Sequence, residues 1–172
     1  IFEELLVLNS QSGDMKAFTL LVKKWNQRLC NQIYWIVHDR ELANDLAQEC
    51  WITINKNIHK LSDPKKYGAW ALRIANNKSI DCLRKAKAQK AKYEEVAVDR
   101  LETDEVSIDS SDELMTRLQK GLTQLNEDQV LILKMHYLQE LKLDQISIIL
   151  KIPKGTVKSR LFKAREALKK IV

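Results

Sequence analysis

The spacing of apolar positions along the chain is that of a succession of amphipathic helices. From Asp14 to about Val37, Phe18, Leu21, Val22, Trp25, Leu29, Ile33 and Ile36 recur every three or four residues, which lines one helical face with apolar side chains. Asp39 is an oxygen acceptor placed to cap a second helix, on which Leu42, Leu46, Ala47, Cys50 and Ile54 form a matching stripe. The two stripes can bury each other. After the loop Lys60-Leu61-Ser62, Asp63-Pro64 marks a third helix start, an acceptor followed by a proline with no donor to waste. Tyr67, Trp70, Ala71 and Ile74 follow at helical spacing, and this helix is predicted to run to about Lys85 or beyond.

Periodicity then fails. Residues 94 to 113 carry nine acidic side chains against the single Arg100 and include the polar run Ser-Ile-Asp-Ser-Ser-Asp, a linker composition. Asp112 can cap the next helix, with Leu114, Leu118, Leu122 and Leu125 on one face. Asn126 and Gln129 are spaced as a capping box ahead of Val130, Leu131, Leu133 and Tyr137. Two short helices, about Leu143 to Leu150 and Lys154 to Lys170, finish the chain.

Composition agrees with this reading. Four Gly and two Pro in 172 residues are too few for the turns that many short strands require. The predicted class is therefore all-α: two small helical domains, 1–92 and 113–172, joined by an acidic linker over 93–112. Cys30, Cys50 and Cys82 are odd in number and far apart, which suits reduced, buried thiols rather than a disulfide framework or a zinc site. No apolar run approaches the ~20 residues that span a bilayer and no signal-peptide pattern opens the sequence, so stable membrane insertion is not expected. His38, His59 and His136 have no Cys or carboxylate at ligand spacing, so no metal, cofactor or catalytic residue is assigned.

Charge points to a partner. The net charge is +6, and its placement matters more than its size. Between Lys65 and Lys92 nine basic residues face only Asp81, and from Lys142 onward nine face only Asp144 and Glu166. The second cluster lies on a segment laid out as a helix-turn-helix. Ile146, Leu150, Ile152, Val157 and Leu161 can hold two helices at a steep angle and leave the second free for a DNA major groove. Lys154, Thr156, Lys158, Ser159, Arg160, Lys163 and Arg165 are assigned to its free face. Arg160 can pair with a guanine edge, the lysines and Arg165 can neutralise phosphates, and the hydroxyls can donate to either. A solvated basic helix is the plain alternative.

The run from Pro153 to Leu168, PKGTVKSRLFKAREAL, resembles the helix with which bacterial sigma factors, particularly the short extracytoplasmic-function type, read the promoter −35 element. Similar helices occur in response-regulator activators. Two further segments narrow the choice. Asp45-Leu-Ala-Gln-Glu-Cys-Trp51 is similar to the sigma segment that binds the coiled coil of the polymerase's largest subunit. Asp45, Gln48 and Glu49 share one helix face by spacing, and Trp51 is assigned with them. Trp70 to Lys85 fills every position of the family's −10 hallmark W-x-x-x-I-A-x-N-x-x-x-D-x-x-R, with Trp70, Ile74, Ala75, Asn77, Asp81 and Arg84. Arg73, Asn76, Asn77, Asp81, Arg84, Lys85 and Lys87 are the residues expected along a melted strand, Asn77 on a base edge and Arg84, Lys85 and Lys87 on phosphates. Trp70 itself, at helical spacing beside Ile74, reads first as a core residue.

The resemblance covers about residues 14 to 90 and 114 to 172. It implies that the loop from His59 to Tyr67 captures a base flipped out of the duplex. It also implies departures: Glu140 and Lys151 stand where Gly is usual, Lys142 where Ser or Thr caps a helix, Ser147 where Ala is usual, and Pro153 where Ser caps. A Lys151 forced to positive φ would cost about 1 kcal/mol.

The expected function is thus that of a cytoplasmic bacterial sigma factor that binds core RNA polymerase, directs promoter recognition and melting, and has an inhibitory anti-sigma factor as a candidate partner. Counted with the few residues that flank 93–112, a linker of about 25 residues at ~3.3 Å each spans roughly 80 Å, enough for two DNA turns of ~35 Å. Its acidity suits either a segment that avoids DNA or threads a basic channel, or a plain spacer. Two other classes are open at this point. A stand-alone dimeric helix-turn-helix regulator would leave the Asp45 face without purpose. A helical metalloenzyme built on Asp45, Glu49 and His59 would need stoichiometric bound metal.

Overall fold

The computed structural model describes residues 2–93 and 121–170. The chain divides into two compact units, Ile1–Glu102 and Thr103–Val172, and the described residues are all-α, with no strand among them. The predicted linker falls almost wholly outside the described residues, as do Asp112, Leu114 and Leu118 of the helix expected after it.

Four helices build the first unit: α1 (Phe2–Gln11), α2 (Met15–Val37), α3 (Arg40–Asn57) and α4 (Tyr67–Tyr93). The starts follow from the caps. Asp14 Oδ1 accepts from the Lys16 and Ala17 amides at 2.8 and 3.3 Å, and Asp39 Oδ1 accepts from the Leu42 amide at 2.9 Å. His38 ends α2 in the left-handed conformation, φ 57°. The predicted stripes meet in one core, where Leu21, Leu29, Ile33, Cys50, Ile54, Leu72 and Ala75 are fully buried. Each large aliphatic side chain withdrawn from water contributes about 1.5–3 kcal/mol, so this shared core, not helix propensity, fixes the packing.

The first helix, α1, was not expected from periodicity. It lays Leu6, Val7 and Ser10 against the bundle, and Glu3 accepts from the Trp25 indole N–H at 3.2 Å while pairing with Lys24 at 2.7 Å. Between α3 and α4 the chain makes two single 3₁₀ turns, Ile58–Lys60 and Pro64–Lys66. Asp63 caps the second, accepting from the Lys65 amide at 3.1 Å. Tyr67, fully buried, then packs edge-on to Trp25 with ring centres 6.0 Å apart. Gly68 lies under the same indole, and a Cβ there would come within 2.7 Å of Trp25 Cζ2, so only glycine lets α4 approach α2 this closely.

In the second unit, residues 121–123 are helical and α5 (Glu127–Leu133) follows. The capping box forms in both directions: Asn126 Oδ1 accepts from the Gln129 amide at 2.9 Å, and Gln129 Oε1 from the Asn126 amide at 3.1 Å. A π turn over Lys134–Leu138 continues α5, with the Gln139 amide donating to the Lys134 carbonyl at 3.2 Å. Then come α6 (Leu143–Leu150) and α7 (Lys154–Lys169). Ile132, Met135, Ile146, Ile149 and Val157 are fully buried, with Leu161 and Ala164 beside them.

Both usual-glycine positions hold the left-handed conformation, Glu140 with φ 56° and Lys151 with φ 56°. Ser147 offsets part of this by donating its hydroxyl to the Ile152 carbonyl at 2.6 Å, which ties down the turn between α6 and α7. Lys142 offers no acceptor to the start of α6, and only the other half of a capping box remains, its amide donating to Gln145 Oε1 at 2.9 Å.

Candidate nucleic-acid interface

Three polar side chains of α3, Asp45, Gln48 and Glu49, are exposed on one face. Trp51 does not join them. Two residues beyond Glu49 is about 200° around a helix, which turns the indole inward. There it is 9% exposed, donates its N–H to Asn26 Oδ1 at 2.9 Å and meets Phe18 edge-on. Its work is to hold α3 on α2. Glu49 reaches the next helix as well, its carboxylate accepting from Lys78 Nζ at 3.1 Å.

Along α4, Arg73, Asp81, Arg84, Lys85 and Lys87 are exposed and Asn77 is half-buried. The spacing of Arg73, Asn77, Asp81 and Arg84 keeps them to one side of the helix. Asn76 departs from the expectation. It lies among Leu72, Ala75 and Ser79 on the inward face and is 2% exposed, so it cannot meet a strand lying on the outside. Arg84 and Asp81 approach only to 3.8 Å, both well exposed, an ion pair worth little in water. Trp70 is half-buried against Tyr67, ring centres 6.1 Å apart. The preceding loop presents His59, Lys60, Lys65 and Lys66 to solvent.

On α7 the inward face is Val157, Leu161 and Ala164. Lys154, Lys158, Ser159 and Lys163 are exposed, and Thr156 is half-buried. The seven assigned side chains do not form one patch. Arg160 and Arg165, five residues apart, stand about 140° apart around the helix. Arg160 bonds Asp128 Oδ2 of α5 at 2.6 Å, and Arg165 lies over the Tyr137 ring, 5.3 Å from its centre. Lys154 pairs with Asp144 at 2.7 Å, and the Ser159 hydroxyl donates to the Thr156 carbonyl of its own helix.

One residue was missed by sequence reasoning. Phe162 is 62% exposed between Lys158 and Lys163, an apolar surface available to a thymine methyl. Its signal was its register: about 140° around the helix from Val157, Phe162 lies off the stripe of Val157, Leu161 and Ala164. Burial pushes the Cys50 thiol up to about 12, raises the Tyr67 phenol and lowers the half-buried Lys134 ammonium.

Comparison with known proteins agrees with these two units. Sigma-70 region 2 matches residues 21–89 and sigma-70 region 4 matches residues 115–168. The extracytoplasmic-function sigma factor SigW of Bacillus subtilis is 31% identical over 93% of this chain and 91% of its own. The sigma-H factor of Pseudomonas aeruginosa is 30% identical over 98% and 92%, and the sigma-E factor of Escherichia coli K12 is 28% identical over 96% and 92%. Among solved structures, the sigma factor RpoE of Bartonella quintana, in complex with the anti-sigma factor NepR, superposes with a TM-score of 0.72 at 19% identity, covering 91% of this chain and 96% of that one. CnrH in complex with the cytosolic domain of CnrY gives 0.69 at 18%, covering 98% and 96%. With both sigma regions present in order and relatives aligned nearly end to end, the chain belongs to the extracytoplasmic-function sigma factors, which bind core RNA polymerase and promoter DNA and direct transcription initiation.

Proposed function

We propose a division of labour among the exposed faces. The carboxylate face of α3, Asp45, Gln48 and Glu49, docks on basic residues of core polymerase. The α4 stripe of Arg73, Asn77, Arg84, Lys85 and Lys87 follows the melted −10 strand, with the loop over 58–66 receiving the flipped base. The exposed side of α7, centred on Lys158, Ser159, Arg160 and Lys163, reads the −35 duplex. The division falls at 1–92 and 113–172, with the acidic stretch between as tether.

The observation that carries this reading is the segregation of charge. Cations line the outward sides of α4 and α7, while the exposed side chains assigned on α3 are carboxylates and an amide. A duplex or single strand attracts the former and repels the latter. Asp81 sits within the α4 stripe as a spacer to Arg84 rather than as a phosphate contact, since carboxylate and phosphate repel. We place the protein in the bacterial cytoplasm, where polymerase is. Because a similar fold was solved in complex with an anti-sigma factor, we include an anti-sigma factor among its partners.

The test separates the surfaces. Asp45→Ala with Glu49→Ala is expected to weaken core binding at least tenfold in a fluorescence titration, with −35 duplex binding by the free chain unchanged. Arg160→Ala is expected to do the reverse, abolishing −35-dependent run-off transcription while core still binds. Loss of both activities in either variant contradicts the assignment.

A further inference from the structure

We infer that Gln11 is a positioning residue for the loop between α3 and α4, and through it for recognition of the melted −10 strand. The inference rests on the reading of that loop given above.

Its geometry is specific. Gln11 Nε2 donates to the Ile58 carbonyl at 2.8 Å and to the Leu61 carbonyl at 2.7 Å, 47 and 50 residues away in the chain. Ile58 O also accepts from the Leu61 amide at 3.1 Å, so one side-chain amide and one backbone turn lock the same four-residue segment. The two carbonyls sit at the end of a helix, where backbone acceptors lose their intrahelical partners. Gln11 gives the Leu61 carbonyl a donor and the Ile58 carbonyl a second one.

The brace is itself anchored. Leu6 and Val7 seat α1 in the core, and Glu3 holds Trp25, whose indole covers Tyr67 and Gly68 at the far end of the loop. The loop is therefore held at both ends, by Gln11 before it and by Trp25 after it. Between the anchors, His59, Lys60, Lys65 and Lys66 remain exposed, a cationic rim suited to a nucleic-acid strand. A loop ordered in advance does not lose freedom on binding, and a pocket that is fixed discriminates between bases better than one that adapts.

The chemistry of the tether dictates the test. Gln11→Glu keeps the shape but, ionised, cannot donate, whereas Gln11→Lys retains a donor within reach of both carbonyls. Holoenzyme reconstituted with each full-length variant is titrated with forked promoter templates whose single-stranded −10 bases are substituted one at a time. Gln11→Glu is expected to lower affinity for the parent template about tenfold and to flatten discrimination at one or two bases, with core binding and −35 duplex binding within twofold of the parent. Gln11→Lys is expected to recover at least half of the lost discrimination. A parental discrimination profile in Gln11→Glu overturns the proposal, and so does an equal loss of core binding, which would make Gln11 merely structural. Lys65→Ala with Lys66→Ala serves as the control for the underlying reading. If that variant leaves −10 affinity unchanged, the loop is not on the strand and both ideas fall. If it weakens binding while Gln11→Glu does not, only the positioning role fails.

Discussion

Gly68 shows how much one side chain can decide. An alanine there would drive its methyl into the rigid Trp25 ring, which is already fixed by Glu3 and Tyr67. Gly68→Ala is expected to lower the unfolding free energy of the first unit by about 2–3 kcal/mol, measured by chemical denaturation. Lys151 offers the opposite case. Its left-handed backbone costs a non-glycine residue about 1–2 kcal/mol, and glycine would return roughly half of that as extra freedom in the unfolded chain. Lys151→Gly should therefore stabilise the second unit by about 0.5–1 kcal/mol, provided the Ser147 bond to Ile152 is retained. Trp51, buried and bonded to Asn26, predicts a third outcome: Trp51→Ala costs about 3–5 kcal/mol of stability, and whatever core affinity is lost returns at temperatures where the variant is fully folded.

At the level of elements, caps give the cleanest expectations. Asn126→Ala removes the acceptor that opens α5 and should cost about 1 kcal/mol, while Lys142→Ser supplies the one missing from α6 and should gain about as much, both read from the second unit's thermal midpoint. The helix starts at Asp39 and Asn126 were legible because a cap is a local chemical requirement. So were the long stripes of α2 and α3, whose apolar residues repeat over several turns. Much less legible was α1, ten residues long with only Leu6, Val7 and Ser10 turned inward, too few repeats to stand out from chance. Nor could spacing decide residues on the shoulder of a stripe. Asn76 and Asn77 are neighbours about 100° apart, and only the packing of α4 on α2 and α3 determines that the first is buried and the second half-exposed. Arg160 and Arg165, both assigned to one free face, lie about 140° apart around the helix and meet different neighbours, Asp128 and Tyr137.

The two units have separate cores, and the buried acids of the first predict a pH response for that unit. Burial raises the Cys50 thiol to about 12 and raises the Tyr67 phenol and the Cys30 thiol, all three in the first unit. An unfolded chain releases these protons near 9.0 for cysteine and 10.0 for tyrosine, whereas the folded unit keeps them. Stability from these groups is therefore complete below about pH 9 and declines as pH climbs toward 12. The melting temperature of the first unit should fall steadily between pH 9 and 10.5, less steeply in Cys50→Ala; a flat profile would refute the assignment. Finally, the bond between Glu49 and Lys78 makes one carboxylate answer to two masters. An enzyme surface that captures Glu49 strips Lys78 of its counter-charge, and a phosphate that draws Lys78 away frees Glu49, effects that thermodynamic reciprocity makes equal in size. On the docking assignment proposed above, capture of Glu49 would release Lys78, and because the pair is largely exposed its loss would shift strand affinity only slightly. Glu49→Gln should uncover that cation permanently, steepening the salt dependence of single-strand binding by about 0.7 in log–log slope.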